Sequence, residues 1–383
     1  MIARAKAGAL AAAMLALTAC ATAPGPRGGA AAVQLADRKA TPETRALFAN
    51  LQRISRDCVL FGHHDDLAYG MGWTGEAGRS DVKDVAGAYP AVYGWDVGRL
   101  FRNGQPDLAD PQRAEELRRW ILEGFGRGGV ISLAWHMPNP VNDTDSWNTA
   151  RAVDAIIPGG RLHGDYKAKL DVVAAFLNGL RTEDGRRVPV IFRPFHEHTG
   201  SWFWWGRDHA SVDAFKQLWR FTVAYLRDEK GVRNALYAYS TDVFDSEAEY
   251  LERYPGDDVI DLLGFDDYHS VKTAETRAVF VNRLRLLAKM ARERGKLAAL
   301  TETGVETIPD PEWWTAVLLP ALKDPSIGGG IAYALVWRNA NPANDRKDHF
   351  YAPYPGHPSA ADFARFKQDP AILFEDELPD LYR

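Results

Sequence analysis

Cysteine is scarce: 383 residues hold two, so at most one disulfide is available and no disulfide framework can carry the fold. Cationic excess is missing too. The formal net charge is -5, and no basic field offers polyphosphate a surface, which excludes nucleic acid as a partner. No apolar run reaches the roughly 20 residues that a membrane-spanning helix requires. No Gly-rich phosphate loop follows the first apolar run, and no His-x-x-x-His pair occurs, so the dinucleotide-loop and zinc-helix signatures are absent. What is present is ordinary for a large globular core, with 46% hydrophobic and 25% charged residues, except that aromatics reach 11% and include 12 Trp.

The N-terminus reads as an export signal. Arg4 and Lys6 precede an apolar run over residues 7–19 that ends in Leu17-Thr18-Ala19-Cys20. The tetrad resembles the lipobox of bacterial lipoproteins, which makes Cys20 the expected lipidation site and new N-terminus. Ala21, rather than Asp, resembles proteins sent on to the outer membrane. The expected address is the bacterial cell envelope, with the membrane met through a lipid anchor only. A plain secretory signal with a chance cysteine is the alternative. Cys58, beside an apparent strand, reads as a small buried side chain. Residues 21–40, rich in Ala, Gly and Pro, read as a flexible tether, leaving 41–383 as one catalytic domain, expected to be a monomer.

From residue 41 short apolar or β-branched runs alternate with amphipathic stretches. The runs are Val59-Leu60-Phe61, Ala91 to Trp95, Val130 to Trp135, Val188 to Phe192, Ala235 to Tyr239, Val259 to Phe265, Leu297 to Leu300 and Ile331 to Trp337. Helix-like segments at 110–127, 166–180, 210–229, 276–294 and 311–322 lie between them. Buried strands alternating with covering helices imply an α/β fold with a parallel sheet, and eight repeats imply closure into a (β/α)8 barrel. An open doubly wound sheet is the rival. In a barrel the strand C-terminal ends open on one face, where active sites sit. His63-His64-Asp65-Asp66, Asp96, His136, Arg193 with His196-Glu197, Asp266-Asp267-Tyr268-His269, Thr301-Glu302 and Trp337-Arg338-Asn339 all follow such runs and are expected to converge there.

Two carboxylates flanking a sugar-binding cleft are the minimum equipment for hydrolysing a glycosidic bond. Glu197, beside His196 and a wall of indoles, is expected to be desolvated and protonated, which suits a general acid. Glu302 ends an apolar strand, where an arginine or tyrosine from across the cleft would keep it ionised as a nucleophile. Pyranose C–H faces stack on flat aromatic rings, so Trp202, Trp147 and Trp337 are candidate platforms. Trp120 and Trp219 fall in helical patterns and read as core, while Trp204 and Trp205 fit either groove wall or packing. His63, His64 and Asp66 are assigned to sugar hydroxyls rather than to a metal, because adjacent strand-end residues point in opposite directions. Asn142-Asp143-Thr144-Asp145 lacks the Gly and closing Glu of a calcium loop and reads as a polar loop. Neither a cofactor nor a metal is expected.

Arg193-Pro194-Phe195-His196-Glu197, then Gly200 and Trp202-Phe203-Trp204-Trp205-Gly206, resembles the fourth-strand signature of glycoside hydrolase family 26, mostly β-mannanases. Thr301-Glu302-Thr303-Gly304, Trp135-His136 with Pro138-Asn139, Asp266-Asp267-Tyr268 and Trp337-Arg338-Asn339 extend the resemblance over residues 41–370. It implies a retaining (β/α)8 hydrolase of β-1,4-mannan, galactomannan or manno-oligosaccharides, with Glu197 as acid/base and Glu302 as nucleophile. It further implies that His196 orders the acid/base, that Tyr268 lies near the nucleophile, and that His136, Trp202 and Trp337 line the sugar site, with Arg338 among the substrate-binding candidates. Phe61-Gly62-His63-His64-Asp65-Asp66 resembles exported members, some of which release mannobiose from chain ends. In those an acidic residue after the second strand closes the cleft, a part that Asp107 or Asp110 could play. A β-1,3-1,4-glucanase, a β-1,3-xylanase and a non-catalytic sugar-binding lipoprotein are the other readings.

Overall fold

The computed structural model describes residues 35–106 and 111–383. Cys20 and the leader, together with Asp107 and Asp110, lie outside the described residues. Eight strands form the centre: β1 (Val59–His64), β2 (Val92–Asp96), β3 (Val130–Trp135), β4 (Val190–Pro194), β5 (Ala235–Thr241), β6 (Leu262–Asp267), β7 (Leu297–Thr303) and β8 (Ile331–Val336). Each pairs in parallel with the next, and β8 returns to β1 with Leu60 opposite Tyr333, which closes the sheet into a barrel. All eight expected runs are strands, and the open-sheet alternative is ruled out. A ninth, β9 (Ile372–Leu373), extends the sheet from β1.

The strands read as nearly unbroken apolar runs because closure buries both faces. Phe61 points outward and packs on Phe363, Phe366, Phe374 and Trp314. Gly62 permits close strand packing, since a Cβ there would lie 3.0 Å from that of Val92. Cys58, just ahead of β1, is buried as expected.

Helices occupy the expected segments, and one that was not expected, α1 (Pro42–Ile54), precedes the first strand. Around the barrel run α1, α2 (Pro111–Gly126), α3 (His163–Gly179), α4 (Val212–Ala224) and α5 (Arg277–Arg294). In α1, Thr41 caps the first turn by accepting from the Thr44 N–H, Pro42 sits where no amide partner is needed, and Leu47, Phe48, Leu51 and Ile54 form the buried face.

One boundary is corrected. Residues 35–40 belong to the folded body rather than to a tether: Leu35, Ala36, Asp37 and Ala40 are buried. The Ala36 N–H donates to Asp261 at 2.7 Å, and Arg233 pairs with Asp37 at 2.9 Å. Composition hides this because a backbone amide and one carboxylate do the anchoring, with little help from apolar pattern.

Candidate active site

β4 ends in Arg193-Pro194, and the chain then turns through an elbow in which Phe195 and Glu197 both take left-handed φ, at 52° and 51°. Such values are costly for residues with a Cβ and persist only where surroundings impose them. Here the Phe195 ring is gripped edge-on by Trp204, Trp205, Phe215 and Trp219. The Trp205 indole N–H donates to the His196 carbonyl at 2.8 Å, and the Glu197 N–H to that of Ser240 at 3.1 Å. The indole cluster therefore packs largely beneath Glu197. Trp204, which donates to the Met137 carbonyl at 2.9 Å, and Trp205 are fully buried, so both are packing and neither faces the groove.

Glu302, at the end of β7, has both carboxylate oxygens engaged. The Tyr268 hydroxyl donates to Oε2 at 2.9 Å, and Arg193 Nη2 donates to Oε1. The sequence called for an arginine or a tyrosine, and the cleft supplies both. Arg193 is itself buried and divides its other nitrogen between Asp266 Oδ2 at 2.9 Å and Ser240 Oγ at 3.1 Å. Glu197, Asp266 and Glu302 each place an oxygen within 4.8 Å of the others. Among the described residues this is the one group of ligand side chains close enough to share a cation, but the guanidinium already supplies positive charge between Asp266 and Glu302.

The electrostatics separate the two glutamates. Burial, followed by the charges of Asp266, Glu302 and Asp242, raises the Glu197 pKa well above the usual carboxylate range, and the Trp202 indole N–H at 2.6 Å only partly opposes this. Glu197 thus carries the proton a leaving oxygen needs. Burial and the charge of Glu302 also push Asp266 up, against the pull of Arg193. Burial and the neighbouring carboxylates raise Tyr268 as well, so it stays a donor.

A second line of groups forms the cleft wall. His64 stacks on Trp337 with ring centroids 4.3 Å apart, and burial pushes its pKa down to about 4. Gly94 makes room for it, since a Cβ there would lie 2.6 Å from His64 Nδ1. His136 stacks on Trp147 at 5.4 Å, meets Trp337 edge-on at 5.9 Å and faces His196 Nε2 at 3.2 Å. Trp147 is 57% exposed and Trp202 38%, unusual for indoles and suited to platforms.

Two assignments fail. His63 and Asp66 pair with each other at 2.7 Å, both about 1% exposed, on the helix-facing side of β1 beside Tyr93. Alternation along a strand allows one of two adjacent histidines to face the cleft, and it is His64. Arg338 stays at the rim, but its guanidinium is engaged by Asp345, with Nη2 3.2 Å from Oδ1.

Sequence reasoning gave no role to Asp266 or Asp96. Both sat in strand-end clusters, which was the available signal, but their partners lie 73 and 40 residues away.

Chemistry in this cleft reduces to two carboxyl groups, an oxygen of each within 4.8 Å of the other, on the rim of a (β/α)8 barrel with aromatic walls. That spacing, below the roughly 6.5–9.5 Å of inverting enzymes, is the equipment of a retaining glycoside hydrolase. Within that class, the pattern of glycosyl hydrolase family 26 matches residues 36–314, and the chain belongs to this family.

Its relatives include a mannan endo-1,4-β-mannosidase of Bifidobacterium adolescentis, 34% identical over 354 residues, which are 87% of this chain and 35% of that one. Another, from Bacillus subtilis, is 28% identical over 233 residues, 57% of this chain and 61% of that protein. The chain therefore spans roughly a third to three-fifths of the length of these relatives. Among solved structures, a family 26 β-mannanase from Bacteroides ovatus is 46% identical with a TM-score of 0.82, covering 90% of this chain and 98% of that one. A modular endo-β-1,4-mannanase from Cellulomonas fimi is 35% identical with a TM-score of 0.83, covering 91% and 79%.

Proposed function

We propose that this chain hydrolyses β-1,4-mannan and manno-oligosaccharides by double displacement. The observation that carries the reading is the pairing of a proton-bearing Glu197 with a Glu302 held by Tyr268 and Arg193, oxygens within 4.8 Å. In the first step the Glu197 proton passes to the glycosidic oxygen as its bond to the anomeric carbon breaks and a Glu302 oxygen bonds to that carbon. In the second, Glu197, now a carboxylate, takes a proton from water, whose oxygen displaces Glu302 and restores both groups. Mannan as substrate is supported by the relatives named above. Every group needed comes from one chain, consistent with action as a monomer. Glu302→Ala is expected to abolish hydrolysis of manno-oligosaccharides and Glu197→Ala to slow it about 10²- to 10⁴-fold, each with the folded far-ultraviolet circular dichroism spectrum retained. Full activity in either variant overturns the assignment. Early products from mannohexaose test the mode of attack: mannobiose alone marks chain-end action, the reading suggested by the resemblance to exported members, and a spread of lengths marks internal cleavage.

We also propose that Cys20 carries a lipid anchoring the enzyme to the cell envelope. Support comes from the Leu17-Thr18-Ala19-Cys20 tetrad and from where residues 36–41 join the barrel. Residues 36 and 41 bond to Asp261 and Arg233, just ahead of β6 and β5, at the barrel end opposite the cleft. A tether leaving there keeps the cleft clear of the membrane. Cys20→Ser should release the enzyme to the soluble fraction, and retention on the membrane would refute the anchor.

A further inference from the structure

Beside the acid/base lies a chain of three side chains whose hydrogen-bond roles interlock. Asp96, the last residue of β2, has both carboxylate oxygens occupied by donors. Oδ1 accepts from the Gly98 N–H at 2.6 Å, and Oδ2 accepts from the His136 backbone N–H at 3.1 Å and faces His136 Nδ1. Backbone N–H donors on both oxygens favour the ionised carboxylate. Asp96 therefore acts as acceptor only, and His136 Nδ1 carries a hydrogen. Against burial, the His136 contact and these N–H donors hold the Asp96 pKa below the usual carboxylate range.

With Nδ1–H assigned, His136 turns its Nε2 to His196 Nε2, 3.2 Å away. One hydrogen must sit between them. His196 is buried and its Nδ1 has no partner. A hydrogen on that nitrogen would be an orphaned buried donor, so its single hydrogen belongs on Nε2, pointing at His136. The run is then Asp96 carboxylate, His136 Nδ1–H, His136 Nε2, His196 Nε2–H. It ends on the residue whose carbonyl is held by Trp205 and whose neighbours Phe195 and Glu197 carry left-handed φ.

We propose that Asp96 is a positioning residue that sets the tautomers of His136 and His196 and thereby fixes the ring next to Glu197. An asparagine at 96 cannot reproduce this. Its amide nitrogen must replace one oxygen. At the Oδ1 position it meets the Gly98 N–H head-on. At the Oδ2 position it can only donate to Nδ1, which moves the His136 hydrogen to Nε2 against that of His196. His196 must then shift its own hydrogen to the unpartnered Nδ1. Either arrangement leaves one buried donor unpaired.

The inference rests on the mannan-hydrolase reading for its kinetic arm, and a substrate-free arm separates the two. In wild-type protein with 15N-labelled histidine, His136 should show a pyrrole-like Nδ1 and a pyridine-like Nε2, and His196 the reverse. In Asp96→Asn both patterns should invert where the amide nitrogen takes the Oδ2 position, and in either orientation kcat/KM on mannohexaose should fall about 10- to 100-fold, the effect of one unpaired buried donor, through kcat more than KM and with Glu197 and Glu302 intact. His136→Asn, whose amide reproduces an Nδ1-side donor to Asp96, should leave the His196 tautomer less defined with a similar loss. Because the NMR arm needs no turnover, failure of wild type to cleave any mannan would refute the function and leave the tautomers measurable. A wild-type His136 protonated on Nε2 alone, or an Asp96→Asn enzyme with unchanged tautomers and unchanged kcat, overturns the proposal.

Discussion

Arg193→Met removes the charge on which the cleft is built, and its effect can be worked out from the contacts. The guanidinium is 3% exposed and bonds to Ser240, Asp266 and Glu302. Methionine fills most of the volume and makes none of these bonds. Two buried acidic groups lose their partner, a loss that typically costs about 3–5 kcal/mol. The pH dependence has a definite sign. Burial and Glu302 already raise Asp266 while Arg193 lowers it, so the substitution moves it further up. A carboxyl whose folded-state pKa lies above its unfolded one costs stability that grows as pH rises from the unfolded to the folded value, and Asp266 is already pushed up to about 8, so the extra burden in the variant appears as pH rises past about 8. Urea unfolding of both proteins should therefore show a deficit of about 3–5 kcal/mol near pH 9 and a smaller one at pH 7. Activity should fall at both, because Glu302 Oε1 has lost its donor. A deficit under about 1 kcal/mol near pH 9, or one larger at pH 7 than at pH 9, refutes this assignment of the site's charge balance.

Three further outcomes follow from the same geometry. Glu197→Ala should slow hydrolysis of mannan about 10²- to 10⁴-fold yet scarcely slow glycosylation by an aryl mannobioside with a strongly acidic phenol, which leaves without a proton; stopped-flow release of the phenol checks this. Trp202→Phe keeps a ring but deletes the N–H that favours the Glu197 carboxylate, so the acid should hold its proton to higher pH, and the basic limb of the kcat profile should move up, not down. Trp147→Ala removes an exposed platform stacked on His136 and should raise KM for oligosaccharides about two- to tenfold with kcat nearly unchanged, as expected for loss of one stacking contact.

How much of this could be read in the chain follows from the range of each interaction. All eight strands were legible because burial on both faces leaves unbroken apolar runs such as Val130 to Trp135, and strand ends then predicted where Glu197, Glu302, His136 and Trp337 would meet. What escaped reading depends on approach across the barrel. Arg193 meets Glu302 from 109 residues away, and Asp96 meets His136 from 40, with no local pattern to announce either. His63 and Asp66 were misplaced although strand alternation held the answer, since only His64 could share the inward face. Trp204 and Trp205 could not be assigned because their burial depends on the left-handed turns at Phe195 and Glu197, which neither residue type suggests. Residues 35–40 looked like a tether because a buried amide-to-carboxylate bond leaves no mark on composition.

Glu197 and Glu302, with an oxygen of each within 4.8 Å of the other, have the spacing of a double displacement through a covalent glycosyl intermediate and two inversions. Proton NMR of the first-formed reducing end, recorded before mutarotation during cleavage of a β-manno-oligosaccharide, tests it most directly. The account predicts the β-anomer at early times, with the α-anomer growing in only by equilibration. Initial appearance of the α-anomer would mean inversion by direct attack of water and would contradict the reading of this site.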